Sequence, residues 1–390
     1  MIRGLARFFV PGVIAIGICL LWNSSPLPAA AEQVAGFVLA ACLLLAWTAG
    51  RIDIRLHRLL IPLAAMAVWP LLQLALGTTV YSWKTGQAAL YWASCLVWFF
   101  IALQLYGDTR RRAWLLRSLA FFSYAMALLA PLQQFTAPAR ALWLFPLSYG
   151  VTAMGPFLYV NQFAGFVEIF LPLALYAAVT DQRFRPVHIA GSAMLYTSIL
   201  AAASRAGFAV ATAAVGVTIT LIFARSLLSP NRVLPVLLRC LTVAVVLMAA
   251  IGPARLIQKF KASDPYSVRR QYLLSSVAMI RDRPVMGIGM GNWATVYPGY
   301  ARFDDGNYVG QARNDWAQWT AEGGLPFLTL AVWFAYGTLQ GAHRTIWGYG
   351  LAAVFLHSWV DYLIERTAMA VLFFVIAGAV AASESPPQWD

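Results

Sequence analysis

One long polar stretch, residues 253–324, interrupts a chain that is otherwise apolar enough to lie in lipid. A membrane-crossing helix needs about 20 mostly apolar residues, because inside a bilayer every backbone N–H and C=O must be satisfied within the segment. Runs at or near that length lie at 8–23, 34–50, 59–77, 87–106, 114–135, 159–180, 187–203, 207–224, 236–252, 325–341, 348–364 and 367–382. Composition agrees: 61% of residues are hydrophobic and 11% charged, against about 25% charged in soluble domains. The expectation is an all-α, polytopic inner-membrane protein of about twelve transmembrane helices. It forms a single transmembrane domain over residues 1–390, with 253–324 inserted as a large loop between spans nine and ten.

Sidedness follows from Lys and Arg in alternate short loops. One side carries Arg3, Arg7, Arg51, Arg55, Arg58, Arg110, Arg111, Arg112, Arg117, Arg183, Arg185, Arg225, Arg232, Arg239 and Arg344; the other has Lys84, Arg140, Arg205 and Arg366. Fifteen against four predicts both termini in the cytoplasm and the long loop in the periplasm. Arg3, Arg7, an apolar run and Pro28–Ala31 before Glu32 also fit a cleavable signal peptide, but further spans follow at once and need no separate export signal. A retained first helix is the expectation. The net charge of +13 is topogenic on this reading and leaves no basic folded domain for nucleic acid.

The loop holds nine basic residues (Arg255, Lys259, Lys261, Arg269, Arg270, Arg281, Arg283, Arg302, Arg313) against six acids. Long loops escape the charge rule, so these need another reason, and an anionic ligand supplies one. Within the loop, Val268, Tyr272, Leu273, Val277 and Ile280 fall near helical spacing. They predict an amphipathic surface helix over Ser267–Arg281, opened by Asp264-Pro265. Gly287-Ile288-Gly289-Met290-Gly291 lacks the βαβ context of a nucleotide loop and reads as a tight, flexible turn. The four cysteines lie unpaired in apolar runs and the four histidines are scattered, so neither a disulfide framework nor a metal site is expected.

Charges at membrane depth are costly, so each is a functional candidate. Arg205 is the only charge between Pro186 and Ala224 and sits in the hairpin Ala203-Ser204-Arg205-Ala206-Gly207. Its guanidinium matches phosphate oxygens; the plainer role is a snorkelling anchor. Asn161, Gly165, Glu168 and Pro172 share one face of a helix opening at Tyr159. Glu168 there is either a buried partner for an arginine or a proton acceptor. His357, Asp361 and Glu365 recur every four residues and read as one helix face, giving a structural His–Asp bond or a proton relay.

These pieces together resemble the O-antigen ligase/polymerase family of bacterial membrane glycosyltransferases. The resemblance runs from about residue 150 to the C-terminus. It rests on Met154-Gly155-Pro156-Phe157, Asn161-Gln162-Phe163-Ala164-Gly165, Ser204-Arg205-Ala206-Gly207, Arg269, Met279 to Gly289, Ala312-Arg313-Asn314-Asp315-Trp316, Ala321-Glu322-Gly323-Gly324 and His357-Ser358-Trp359-Val360-Asp361. It implies a fold like that of class-C, lipid-dependent glycosyltransferases. It further implies inverting transfer of a glycan from undecaprenyl diphosphate to a hydroxyl of a glycan, lipid or protein acceptor, in the bilayer, without nucleotide sugar, metal or other cofactor. In similar proteins the arginines matching Arg205 and Arg269 bind the diphosphate. With these, the candidate catalytic residues of this chain are Arg205, Arg269, Arg313, Asp315 and Glu322, and the candidate substrate-binding residues are Asn161, Glu168, Ser204, Arg270, Asn314, His357 and Asp361.

Two positions depart from the family pattern. Arg313 stands where ligases usually carry a histidine that accepts the acceptor's proton, and Gln162 stands where histidine is frequent. Arginine stays protonated in proteins and is no base. Either Asp315, Glu322, Glu168 or His357 takes that role, or Arg313 is a third phosphate contact, which tilts the expectation towards a polymerase. A lipid-linked glycan transporter would show inverted repeats, and none is visible. A non-catalytic envelope-biogenesis protein would suit the missing histidine but leaves the arginine-rich loop without a purpose.

Overall fold

A computed structural model describes residues 2–148, 150–225, 230–252, 254–261, 266–302, 306 and 308–383. The expected Asp264-Pro265 start signal and the tail past Ser383, expected to be disordered, lie outside the described residues. Apart from a small antiparallel pair, β1 (Arg140–Ala141) with β2 (Phe145–Pro146), the fold is helical. Among the described residues, nine helices precede the long loop: α1 (Ile2–Cys19), α2 (Leu27–Thr48), α3 (Leu60–Ala75), α4 (Ser82–Leu105), α5 (Thr109–Thr136), α6 (Val160–Thr180), α7 (Arg185–Ala202), α8 (Arg205–Ala224) and α9 (Pro230–Ile251). The loop adds α10 (Ala254–Phe260), α11 (Ser267–Asp282) and α12 (Trp293–Val296), and α13 (Asp315–Thr345), α14 (Gly350–His357) and α15 (Thr367–Ala381) follow.

Each expected apolar run contains helix. Among the described residues, six helices are long and apolar enough to cross a membrane: Leu27–Thr48, Ser82–Leu105, Thr109–Thr136, Val160–Thr180, Arg205–Ala224 and Pro230–Ala250. The run 348–364 differs from expectation, being helical only over Gly350–His357, roughly 12 Å at 1.5 Å per residue. Beyond His357 the chain spends its polar groups on another element. Ser358 O accepts from Asp315 N at 2.9 Å, and Asp315 Oδ2 accepts from Ser358 Oγ at 2.9 Å and Leu363 N at 3.0 Å.

Helix α6 is the axis of the bundle. Its residues 162–179 are buried on every face, the pattern of a core helix. It packs on α7, α8 and α14, while α15 packs on α4. Asn161, at the start of α6, meets the α7–α8 junction through Ser204. The opposite end of α6 carries Asp181, paired with Arg117 at 3.0 Å and His188 at 3.2 Å.

The loop has a small core of its own. In α11, Tyr272 and Met279 join Ile288, Trp293, Tyr297, Ala312 and Ala321. The buried side of α11 is therefore Tyr272, Ser275, Ser276 and Met279, while Val268 and Leu273 stay exposed. The glycine turn is likewise framework rather than flexible. Gly287, Gly289 and Gly291 all have positive φ, and Gln73 of α3, fully buried, clamps the segment. Its Nε2 donates to Met286 O at 2.6 Å and Glu322 O at 2.9 Å, and its Oε1 accepts from Met290 N at 2.9 Å. The turn packs where α13 breaks at Gly324, φ 74° and ψ −179°.

At Gly287 (φ 65°) a Cβ would lie 2.3 Å from Glu322 O, and at Gly324 (φ 74°) 2.1 Å from Val285 O. Gly287→Ala and Gly324→Ala are each expected to destabilise the protein by at least about 1–3 kcal/mol. This is checked by thermal unfolding in detergent against Gly12→Ala, where a Cβ meets nothing within 4 Å and the Tm should hold.

Candidate functional site

The sequence places a capping serine before the only charge in its hairpin, and the structure uses both. Ser204 Oγ accepts from Gly207 N at 3.0 Å, capping α8, and donates to Asn161 Oδ1 at 2.8 Å. Ala203, just before it, has φ 50°, so the hairpin tip is held in a left-handed turn that few non-glycine residues adopt. This projects Arg205 from the N-terminus of α8 across the ring of Tyr266, its guanidinium carbon 5.2 Å from the ring centroid.

Tyr266 caps α11, and one turn later Arg269 reaches back over the same ring at 5.6 Å. Arg205 and Arg269, from different segments, thus converge on one aromatic ring. Arg269 Nη2 also donates to Asp361 Oδ2 at 2.8 Å. Asp361 is 2% exposed and takes further partners. Asn161 Nδ2 donates to its Oδ2, Tyr362 N donates to its Oδ1 at 3.0 Å, and Arg313 Nη1 lies 3.7 Å from Oδ1. Arg313, with φ 54°, lies over Tyr362 at 4.8 Å and Tyr159 at 5.4 Å. Two guanidinium groups, Arg269 and Arg313, flank this carboxylate and Arg205 joins them through the Tyr266 ring, beside the N-termini of α6, α8 and α13, whose dipoles also favour anions.

The other expected site residues separate from this cluster. Glu168 Oε1 pairs with His357 Nδ1 at 2.8 Å, both side chains 0% exposed. Its partner is thus a histidine rather than an arginine, and His357 does not bond Asp361 through its side chain because the helix ends at His357. Asn314 caps α13, accepting from Ala317 N at 2.9 Å and donating to Trp359 O at 2.8 Å. Glu322 holds the glycine turn: Oε2 accepts from Gly291 N at 2.9 Å and Oε1 from Trp293 N at 3.0 Å. Gln318 joins Glu322 to the site, donating to Oε1 at 3.3 Å and accepting from Ala312 N, beside Arg313, at 3.0 Å. Arg270 is exposed on α11. Of the loop's other basic residues, Arg283 binds Thr78 O at 3.2 Å and lines a separate cleft of about 590 Å³ with the 77–80 segment.

Beside Arg313 a second cleft of about 460 Å³ opens between Tyr159, Tyr272 and Tyr362, with Gln311, Glu365 and Arg366 on its walls. Sequence reasoning missed Tyr266, Tyr159 and Tyr362. Tyr266 lies three residues before Arg269 and Tyr362 directly follows Asp361, spacings that place an aromatic beside each charge.

Fold and site together define a helical membrane protein with a cationic, aromatic-lined site at one end of its bundle. Residues 190–332 match the family model described as O-Antigen ligase, which supports the O-antigen ligase/polymerase family and glycan transfer of the O-antigen ligase type at a membrane. The matched segment contains Arg205, Arg269 and Arg313 and stops short of Asp361 on one side and Asn161 on the other. No curated protein matches the chain.

Asp315 and Glu322 lie in the first turns of α13, before the Gly324 break and the apolar run 325–341. Burial pushes each carboxyl up to about 7, against the pull of the backbone amides they accept from. Such a group, raised above its unfolded value, holds a proton in the folded chain that the unfolded chain releases. Its contribution to stability is therefore present at about pH 4 and lost as pH rises to about 7. Glu322→Gln mimics the protonated form, so its Tm should decline less than wild type between pH 5 and 8 in the same detergent; parallel declines would contradict the assignment.

Proposed function

We propose that this protein is a membrane glycosyltransferase that moves an oligo- or polysaccharide from undecaprenyl diphosphate to an acceptor hydroxyl, as an O-antigen or exopolysaccharide ligase or polymerase. The observation that carries the reading is the convergence of Arg205 and Arg269 on the Tyr266 ring, with Arg269 fixed by buried Asp361. A leaving diphosphate gains negative charge in the transition state, and donors already in place stabilise that charge without reorganising. Planar guanidinium groups offer paired N–H donors that fit phosphate oxygens. A groove of about 300 Å³ lined by Leu171, Leu175, Val215, Ile219 and Leu241 runs along α6, α8 and α9 and suits a polyprenyl chain.

On this reading about twelve spans cross the inner membrane, both termini are cytoplasmic, and the 253–324 insertion forms the periplasmic face of the site. Inversion follows from a single in-line displacement, and the arginines rather than a metal carry the leaving-group charge. Asn161, Ser204 and Asp361 position the clamp. Arg313 is a third cationic contact rather than a base. Asp315, Asn314 and Glu322 hold the loop that presents it, and the buried Glu168–His357 pair sets the position of α14. Arg270 remains at the mouth as a secondary contact.

Arg205→Ala and Arg269→Ala are each expected to lower glycan transfer by at least about 10²-fold while the protein stays folded in the membrane. Lysine at either position should also be impaired, because a point charge lacks the fork of donors. The check is the envelope glycan profile on a gel after expression in a deletion strain, where unpolymerised units mark a polymerase and free lipid-linked polymer a ligase. Full surface glycan in both alanine variants would remove the diphosphate clamp.

A further inference from the structure

A displacement at a sugar carbon needs a group to take the proton of the incoming hydroxyl, and Arg313, which stays protonated, is not that group. A base must reach substrate, which sorts the nearby carboxylates by geometry. Asp361 is spent on Arg269, Arg313 and Asn161. Glu168 is fully buried against His357. Asp315 and Glu322 are buried and accept from backbone amides. Glu365 differs: it is exposed, receives one side-chain hydrogen bond from Gln311 Nε2, and lies on the wall of the 460 Å³ cleft that Arg313 shares. Four tyrosines, Tyr159, Tyr272, Tyr308 and Tyr362, line the same cleft, beside Gln311 and Arg366. Flat apolar faces with polar edges suit the alternating C–H and O–H faces of a sugar ring, and the volume falls in the range of small-ligand sites.

We infer that the tyrosine-walled cleft holds the acceptor sugar and that Glu365 is the catalytic residue that takes the proton from its attacking hydroxyl. This rests on the proposed transfer reaction and adds the acceptor side to it. The hydroxyl proton passes to a Glu365 carboxylate oxygen as the hydroxyl oxygen forms a bond to the anomeric carbon. The bond from that carbon to the phosphate oxygen breaks, its electron pair leaves with the diphosphate, and Arg205 and Arg269 receive the charge. Protonated Glu365 returns its proton to water in the cleft.

The surroundings suit the role. Although its side chain opens on the cleft, dense protein behind it, with the charges of Asp315 and Glu322, pushes the Glu365 carboxyl up to about 8 against the pull of Arg366 and Arg313. A base works best when its pKa is near the working pH. Tyr362 lines the same cleft, and Tyr91 of α4 donates to the carbonyl of the preceding residue, Ile364.

The test uses membranes of the deletion strain, which hold the native lipid-linked donor and acceptor, with the full chain supplied as wild type, Glu365→Gln, Glu365→Gly, Arg205→Ala or Arg269→Ala at matched levels. Transfer is followed on gels over time. Both Glu365 variants should slow it by at least about 10²-fold. Sodium formate should restore part of the rate in Glu365→Gly and none in Arg205→Ala. The wild-type rate should rise with pH through the neutral range, an increase missing from Glu365→Gln. Full activity of Glu365→Gln, or a loss in Glu365→Gly that formate does not restore, overturns the assignment. If that happens while Arg205→Ala and Arg269→Ala remain inactive, the donor clamp stands; full activity in those two removes the reading on which this inference rests.

Discussion

A single buried carboxylate organises this protein's site. Asp361 is almost inaccessible to solvent, and a charge so placed persists only when opposite charge and hydrogen-bond donors surround it. Its partners come from widely separated parts of the chain: Asn161 at the start of α6, Arg269 in α11 and Arg313 before α13. Removing the carboxylate would leave two guanidinium groups facing each other without compensation. Keeping it fixes where they point, and Tyr266 extends the order to Arg205. Catalysis by charge stabilisation depends on this kind of prior placement, since donors that must reorient lose part of what they supply.

The supporting frame is polar as well, and it lies behind the site. Gln73 and Glu322 bind the glycine turn from two sides through backbone groups. Gln318 carries that rigidity to Ala312, next to Arg313. Arg313 itself sits in a left-handed conformation, a strain of order 1–3 kcal/mol that persists only where surrounding contacts over-determine it. The acids near the site thus divide their labour: Asp315 and Glu322 of the loop maintain the frame, while Glu365, between α14 and α15, is left open to the cleft.

Much of this was legible in the sequence, and the omissions have a common cause. Hydropathy located the apolar helices and the hairpin that carries Arg205, because these signals are local. The α11 span was readable from spacing, yet its buried face was not. Ser275 and Ser276 turn inward because Tyr300 O and the Trp293 indole wait there as partners. The His357–Asp361–Glu365 series looked like one helical face, but bonds to Asp315 end the helix at His357 and send its ring to Glu168. Periodicity reports which residues share a face and is silent on what lies opposite. For the same reason the shared Tyr266 ring and the Asp361 hub were unreadable from spacing alone.

In the proposed reaction, guanidinium groups ordered by Asp361 and Tyr266 bind the two phosphates of a polyprenol carrier. The most direct measurement is the affinity of the purified protein in nanodiscs for undecaprenyl diphosphate, set beside Arg205→Ala and Arg269→Ala. A charge-assisted hydrogen bond contributes about 1.5–3 kcal/mol, so each variant should bind the diphosphate at least about tenfold more weakly. Equal affinity in wild type and both variants would contradict the account.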